Sequence, residues 1–356
     1  MKKMRVAIIG QGRSGRDIHG KFFLDDMNDF CQVVAVVEQD EQRRNWAKED
    51  FKCDVYSDYT ELFGRDDIDV VVNASFSEMH YPITKDLLMH KFNVLVEKPF
   101  SRTIYECNDL IRTAKENGVI VTAFHQTLFT PNFLKVKEII ESGIIGDVYQ
   151  INLKYSGFAR RWDWQTLQYK CGGSVYNSGP HPIGQALELL GWDKDTRLEF
   201  SSLSRNLTSG DANDCGKLIL TAPNKPFIDI EINAVDAFAG DFVIKVFGKY
   251  GTLLMGHSKY QLKYIDPAKL DEKPVITESL RNPEGKPMYC SEKLDIVTVD
   301  DEVKGSAFHE AVNTFYRQLY ATIMEGKDLI VTPQKAAMVI NVIEQVHADN
   351  PLSVEF

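Results

Sequence analysis

The chain has 356 residues, 44% hydrophobic and 26% charged. That is room for two domains with cores of their own, and it argues against extended disorder. Its 41 basic and 51 acidic residues leave a formal charge of −10, which disfavours a polyanionic partner such as nucleic acid. No apolar run reaches the roughly 18–20 residues of a membrane helix. The strand-like run over residues 5–9 is too short for a signal peptide, so a cytoplasmic protein with no membrane partner is expected.

The six cysteines, at 31, 53, 107, 171, 215 and 290, lie far apart. The eight histidines show no ligand spacing. Reduced thiols are expected, with neither a disulfide framework nor a metal site.

In chain order, Val6-Ala7-Ile8-Ile9 reads as a buried strand. A Gly-rich turn follows over residues 10–15, then a helix with Ile18, Phe22 and Phe23 on one face. Further short strands are expected at 33–37, 55–56, 70–72, 93–96 and 119–121. Continuous apolar strands separated by helices predict a parallel sheet covered on both faces, the doubly wound pattern. After about residue 146 the period changes. Tyr149, Ile151, Leu153 and Tyr155 alternate with polar residues, as do Ile228, Ile230, Ile232 and Ala234. With further strands at 217–220 and 242–247, this predicts an open, largely antiparallel mixed sheet. Residues 266–292, rich in Pro, Lys and Glu, read as a surface excursion. Two helices follow. The first carries Phe308, Val312, Phe315, Leu319 and Ile323 at helical spacing. The second starts at Thr332-Pro333 and presents Ala336, Val339, Ile340 and Ile343. The fold class is α/β: a Rossmann domain over 1–123 and an α+β domain over 124–356, whose terminal helices are placed to pack back on the first.

Gly10-Gln11-Gly12-Arg13-Ser14-Gly15 is a G-x-G-x-x-G that directly follows a buried strand and opens a helix. In that context the glycines permit a tight turn, close approach of a pyrophosphate, and helix–strand packing. The helix N-terminus offers unsatisfied N–H groups to phosphate. Glu38, at the end of the second strand, stands where a carboxylate accepts hydrogen bonds from the adenosine ribose and repels a 2′-phosphate. NAD is therefore favoured over NADP, with Arg43 and Arg44 nearby keeping the question open. Glu97-Lys98-Pro99 ends a parallel strand where such sheets bind ligands.

These features, together with Gly172-Gly173-Ser174-Val175-Tyr176-Asn177-Ser178-Gly179-Pro180-His181, resemble the Gfo/Idh/MocA family of oxidoreductases along essentially the whole chain. The resemblance implies a two-domain NAD(P)-dependent enzyme acting on a sugar, a cyclitol or a relative of these. It implies that Lys98 and His181 lie near the nicotinamide and the reacting carbinol. It also places Gln126 close to the cofactor, and Ser75, Phe76 and His80 on the adenine and pyrophosphate side, with Glu97 beside them. Three positions depart from the family pattern. Asn177 replaces an Asp, Thr127-Leu128 stands where an Arg-rich pair is usual, and Ser75-Phe76-Ser77 stands for Thr-Pro-Asn.

Oxidising a secondary alcohol requires a hydride to leave carbon while a proton leaves oxygen. His181 is expected to take that proton, because imidazole titrates near neutrality. Lys98 is expected to stabilise the developing alkoxide, or, if buried beside a positive ring, to act as base itself. Asn177 keeps the shape of Asp without its charge and is expected to bind substrate. Arg160, Trp162 and Trp164 suit a polyhydroxylated ring, with Arg161 in the same run and Tyr155 a weaker candidate. Two alternatives stand beside a dehydrogenase. One is a redox-neutral enzyme that borrows NAD to cleave or epimerise a sugar; the other is an NAD-binding sensor without chemistry. A homo-dimer or homo-tetramer is expected through the open face of the second sheet.

Overall fold

The computed structural model describes residues 2–304 and 307–356. Six strands, β1 (Met4–Ile9), β2 (Cys31–Val37), β3 (Asp54–Tyr56), β4 (Val70–Asn73), β5 (Val94–Val96) and β6 (Val121–Ala123), form one sheet in the order β3-β2-β1-β4-β5-β6. Every pairing is parallel. The order reverses between β1 and β4, which opens a crevice at the carboxyl ends of those strands. Val6, Val36, Val71 and Leu95 are fully buried, as strands covered on both faces require.

Each of these strands differs from its expected bounds by a residue or two. The expected strand at 119–121 begins only at Val121, because Val119 N–H is held by Ala114 O at the end of the preceding helix. That helix, Ile104–Asn117, starts in a capping box of Thr103 and Glu106 and stops at left-handed Gly118. The first helix is wound as a π-helix over Arg13–Gly20 and finishes in the turn Lys21–Phe23.

The second sheet has eight strands: β7 (Val148–Ser156), β8 (Arg197–Ser204), β9 (Cys215–Thr221), β10 (Phe227–Asn233), β11 (Phe242–Gly248), β12 (Gly251–Gly256), β13 (Lys259–Ile265) and β14 (Ile296–Glu302). Their order is β14-β13-β12-β11-β7-β10-β9-β8. β7 and β10 run parallel, and the other pairs are antiparallel. Ile151, Leu153, Ile230, Ile232, Ile244 and Val246 are buried beneath the helices. Asn152, Lys154, Asp229 and Glu231 alternate with them and take the opposite face. The excursion between β13 and β14 lies on the surface, with Val275 and Tyr289 over 90% exposed.

Helices Ala307–Glu325 and Pro333–Asp349 return to the first domain. Tyr316 stacks on Phe22 with ring centroids 4.7 Å apart. Thr122 Oγ1 donates to Val331 O at 2.6 Å, and Ile104 N–H donates to Glu344 Oε2 at 2.7 Å. Phe308 departs from the buried stripe expected of it: it is half exposed at the first turn of its helix and faces a cavity described below. Among the described residues no helix is long and apolar enough to cross a membrane.

Candidate active site

Three loops from the carboxyl ends of β1, β4 and β5 meet at the crevice. In the first, a Cβ on Gly15 would lie 1.9 Å from Gly10 O, so helix and loop touch backbone to backbone. A Cβ on Gly12 would meet nothing within 4 Å. Gly12 therefore borders open space, as a residue that lets a pyrophosphate approach must. Glu38 closes the rim. Its Oε2 accepts from Gln11 N–H at 2.7 Å and its Oε1 from Asp40 N–H at 3.0 Å. Arg43 stands 4.0 Å from that carboxylate. Arg44 donates to the Glu38 and Gln39 carbonyls, both at 2.6 Å.

Behind the crevice, Glu97 is buried. Its Oε2 accepts from Lys98 N–H at 2.9 Å, and its Oε1 lies 3.1 Å from His19 Nε2. His19 Nδ1 in turn pairs with the Tyr316 hydroxyl at 2.6 Å. Burial pushes the Glu97 carboxyl up, but the His19 hydrogen bond and the charges of His19, Lys98 and His80 outweigh it. The group is held down at about 2. Glu97 thus supports the crevice from below instead of lining it. The same holds for His80. Its two nitrogens face the carbonyls of Pro99 at 2.6 Å and Ser75 at 3.3 Å, so it ties the β4 and β5 loops together and has no nitrogen left for a ligand. Ser75 Oγ is likewise turned inward, donating to Asn73 Oδ1 at 2.7 Å.

Lys98 follows Glu97, and the Lys98–Pro99 peptide is cis. Lys98 Nζ donates to Asn177 O at 2.9 Å and to Asn177 Oδ1 at 3.1 Å. Burial disfavours its ammonium form; Glu97 opposes this, while Arg13 and Arg161 add to it, and the net shift is downward. Asn177 is set by the Gly-Gly turn: Gly173, at φ +102, leaves no room for a Cβ against Asn213 Nδ2, 2.7 Å away. Asn177 Oδ1 accepts a second bond from Gln165 Nε2 at 3.2 Å, a contact that sequence spacing did not reveal.

His181 sits in the first turn of helix Pro180–Leu189. Its Nδ1 is 3.3 Å from Thr127 Oγ1, and its ring lies 6.3 Å from that of Tyr155. Tyr155 donates to Gln185 Oε1 at 3.2 Å, and Gln185 Nε2 donates to Thr127 O at the same distance. The expectation that His181 titrates near neutrality is corrected. Burial, then the charges of Lys98 and His125, push it down to about 3. His125, buried under the same site, is pushed down by burial to about 4, and its Nδ1 has no partner among the described residues. Gln126 beside it is buried, and its Oε1 is likewise unpartnered among the described residues. A buried amide oxygen without a donor is costly, and one at a cofactor crevice fits a carboxamide ligand.

Of the Arg-Trp run, Arg161 lines a small cavity beside Asn177 and is paired with Asp163. Arg160 is instead spent on Ser209 Oγ at 3.0 Å, and Trp162 is 77% exposed. Trp164 crosses to the first domain, edge-on to Phe76 at 5.0 Å. Lys170, which pairs with Glu78, lies over the same Phe76 ring. A larger cavity of about 510 Å³ adjoins the small one, sharing Ala159, Ser174 and Ala234 with it, and is bordered by Thr127, Tyr155, Ser178 and Gln185.

The two halves of this arrangement match known domains separately. An oxidoreductase-family model with an NAD-binding Rossmann fold matches residues 4–125, and the model of that family's C-terminal alpha/beta domain matches 137–348. The chain belongs to the Gfo/Idh/MocA oxidoreductase family. A scyllo-inositol 2-dehydrogenase (NADP(+)), IolW of Bacillus subtilis, is 25% identical across 96% of this chain and 92% of its own length. An uncharacterized oxidoreductase of Schizosaccharomyces pombe is 28% identical, but the match spans 62% of this chain and 60% of that protein. Among solved structures, an NAD-binding protein from Listeria innocua superposes with a TM-score of 0.80 at 20% identity, covering 98% of each chain. KijD10, a 3-ketoreductase from Actinomadura kijaniata in complex with NADP and TDP-benzene, reaches 0.79 at 16% identity over the same share of each chain. At such identities these structures show a shared fold alone.

Proposed function

We propose that the protein moves hydride between nicotinamide and a secondary alcohol of a sugar, a cyclitol or a sugar derivative, with NAD as the preferred coenzyme. The observation that carries this reading is the position of Lys98. It stands at the carboxyl end of β5, with the glycine loop on one side and the Asn177–His181 segment on the other. The residues present fit a dinucleotide: open space at Gly12, the Glu38 carboxylate at the rim, and the unpartnered Gln126 Oε1. Nicotinamide, when bound, supplies the hydride acceptor or donor.

The proton is the business of the chain's own residues. Lys98 gives two N–H bonds to Asn177 O and Oδ1. A neutral amine in that pose still has its lone pair for the alcohol proton, and Asn177, being uncharged, does not hold it as ammonium. His181, uncharged at neutral pH, orients the same hydroxyl and is itself oriented by Thr127. This division departs from the expected one, in which His181 took the proton. Gln165 and Lys98 occupy the Asn177 oxygen, so Asn177 acts as the anchor of Lys98. NAD is favoured because Glu38 presents a carboxylate where a 2′-phosphate would sit, while the Arg44 guanidinium is committed to backbone carbonyls. The polar open face of the eight-stranded sheet supports a homo-dimer or homo-tetramer, which light scattering would count.

The test is a panel of sugars and cyclitols incubated with NAD and NADP separately, followed at the nicotinamide absorbance and by product analysis. Reduction of NAD with a matching keto product is expected. Cleaved or epimerised product with no net NADH would replace this reading by the redox-neutral one.

A further inference from the structure

The larger cavity, bordered by Thr127, Tyr155 and Ser178, has a chemical character that narrows the substrate. Its volume of about 510 Å³ equals roughly seventeen water volumes at about 30 Å³ each, against the roughly twelve non-hydrogen atoms of one hexose or cyclitol ring. Space therefore remains beyond the ring that presents its alcohol to Lys98.

Two kinds of wall enclose it. One is hydroxyl and amide: Thr127, Tyr155, Ser156, Ser178, Gln185 and Asn233, of which Thr127 and Tyr155 flank His181. These groups both donate and accept, as a neutral polyol requires. The other is apolar, made by Ile232, Ala234, Val243, Ile244 and Phe308, with Ile232 beside Tyr155 across the β7–β10 pairing. Phe308 keeps 42% of its surface uncovered there, at a position where helical spacing alone would bury it.

Charge is the deciding feature. Among the described lining residues Lys154 is the one permanently charged side chain, and its Nζ is paired with Asp236 Oδ2 at 2.5 Å; His257 is the one imidazole. No arginine lines the cavity among them. A phosphate or carboxylate entering such a space loses water without gaining an unpaired lysine or a guanidinium fork, and a single imidazole is a poor substitute for either.

We infer that, within the sugar-alcohol reading on which this rests, the site takes an uncharged glycoside. The hydroxylated ring lies among Thr127, Ser178 and Gln185, an apolar substituent lies against Ile232, Val243 and Phe308, and phosphorylated or carboxylated sugars are excluded.

The experiment uses the full chain with NAD and three series, glucose, galactose and mannose, each as the free sugar, the phenyl β-glycoside and the 6-phosphate. The kcat/KM is measured for each, and calorimetry gives an affinity that does not depend on turnover. In whichever series reacts, the phenyl glycoside is expected to exceed the free sugar by about tenfold or more, the scale of a filled apolar pocket. The 6-phosphate is expected to fall about tenfold or more below the free sugar. Phe308→Ala should shrink the phenyl-to-free ratio to about twofold or less. A 6-phosphate that matches or exceeds the free sugar overturns the inference, as does a flat phenyl-to-free ratio, and either leaves the dehydrogenase reading intact. Should no member react or bind, the sugar-alcohol reading itself falls and takes this inference with it.

Discussion

Lys98 Nζ lies 2.9 Å from the backbone oxygen of Asn177 and 3.1 Å from its side-chain oxygen, so a neutral residue holds the one amine at the centre of the crevice. Replacing that residue by a charged isostere is a direct probe of how the proton moves. In Asn177→Asp the new carboxylate favours the ammonium form of Lys98. If Lys98 takes the alcohol proton, oxidation at neutral pH slows and the rising limb of the kcat/KM profile moves to higher pH. Lys98→Met should lose about 10² or more in kcat with dinucleotide affinity largely retained. A gain of about 10² in Asn177→Asp turnover would instead make the missing carboxylate catalytic.

Coenzyme choice rests on Glu38. Glu38→Ala removes the charge that opposes a 2′-phosphate and frees Arg43, 4.0 Å away, to meet one. The ratio of kcat/KM for NADP over NAD should rise about tenfold or more. An unchanged ratio in parallel titrations of the two coenzymes would remove Glu38 from this role.

The glycines of the first loop separate binding from folding. Gly12→Ala has open space around its Cβ and an ordinary φ of −75°, so the melting temperature should barely move while NAD affinity falls about tenfold. Gly15→Ala drives a methyl into Gly10 O and should cost several kcal/mol of stability. Thermal melts and NAD titration of both variants check the contrast. Equal effects on both would mean that the open side of Gly12 does not face the phosphates.

Acid should destabilise the protein in two stages. His125 and His181 are held below their ordinary value of 6.5, at about 4 and about 3, so the folded state binds fewer protons than the unfolded one. Their contribution is complete above pH 6.5 and is lost as pH falls toward those values. Glu97 behaves alike lower down. Its contribution is present above its ordinary 4.5 and lost as pH falls toward about 2. Urea midpoints measured from pH 7 to pH 3 should fall throughout, and His125→Gln should flatten the part between pH 6.5 and 4. A midpoint that stays level over that span would contradict the burial of these rings in neutral form.

How much of this was legible in the sequence follows from the range of the interactions. The glycine loop, Glu38 and Glu97-Lys98-Pro99 are local strings at strand ends, and their position in the crevice follows from the doubly wound pattern alone. The partners that set their chemistry are remote. His19 meets Tyr316, and Lys98 meets Asn177, across separations that no periodicity encodes. Gln165 carries no motif and reaches Asn177 only because the Gly-Gly turn folds beside it. β8, β12 and β14 were not legible because their alternation is broken, whereas β13 alternates Tyr260, Leu262 and Tyr264 with Lys259, Gln261 and Lys263 and carries the strand signal in full. β8 has a bulge between Leu198 and Phe200, and β14 ends in an acidic run. Phe308 fits a helical stripe, and only the tertiary structure shows a cavity on that face.

The docking of the C-terminal helices on the first sheet bears on how the molecule is made. Phe22, Phe23 and Phe124 reach their final packing only against Phe315 and Tyr316. A nascent polypeptide therefore leaves the ribosome with an aromatic surface on its nucleotide-binding half that stays wet until some two hundred further residues have been translated. That interval is when the half-made chain is most open to chaperones and to aggregation, and truncation before residue 307 should abolish coenzyme binding as thoroughly as a lesion in the glycine loop.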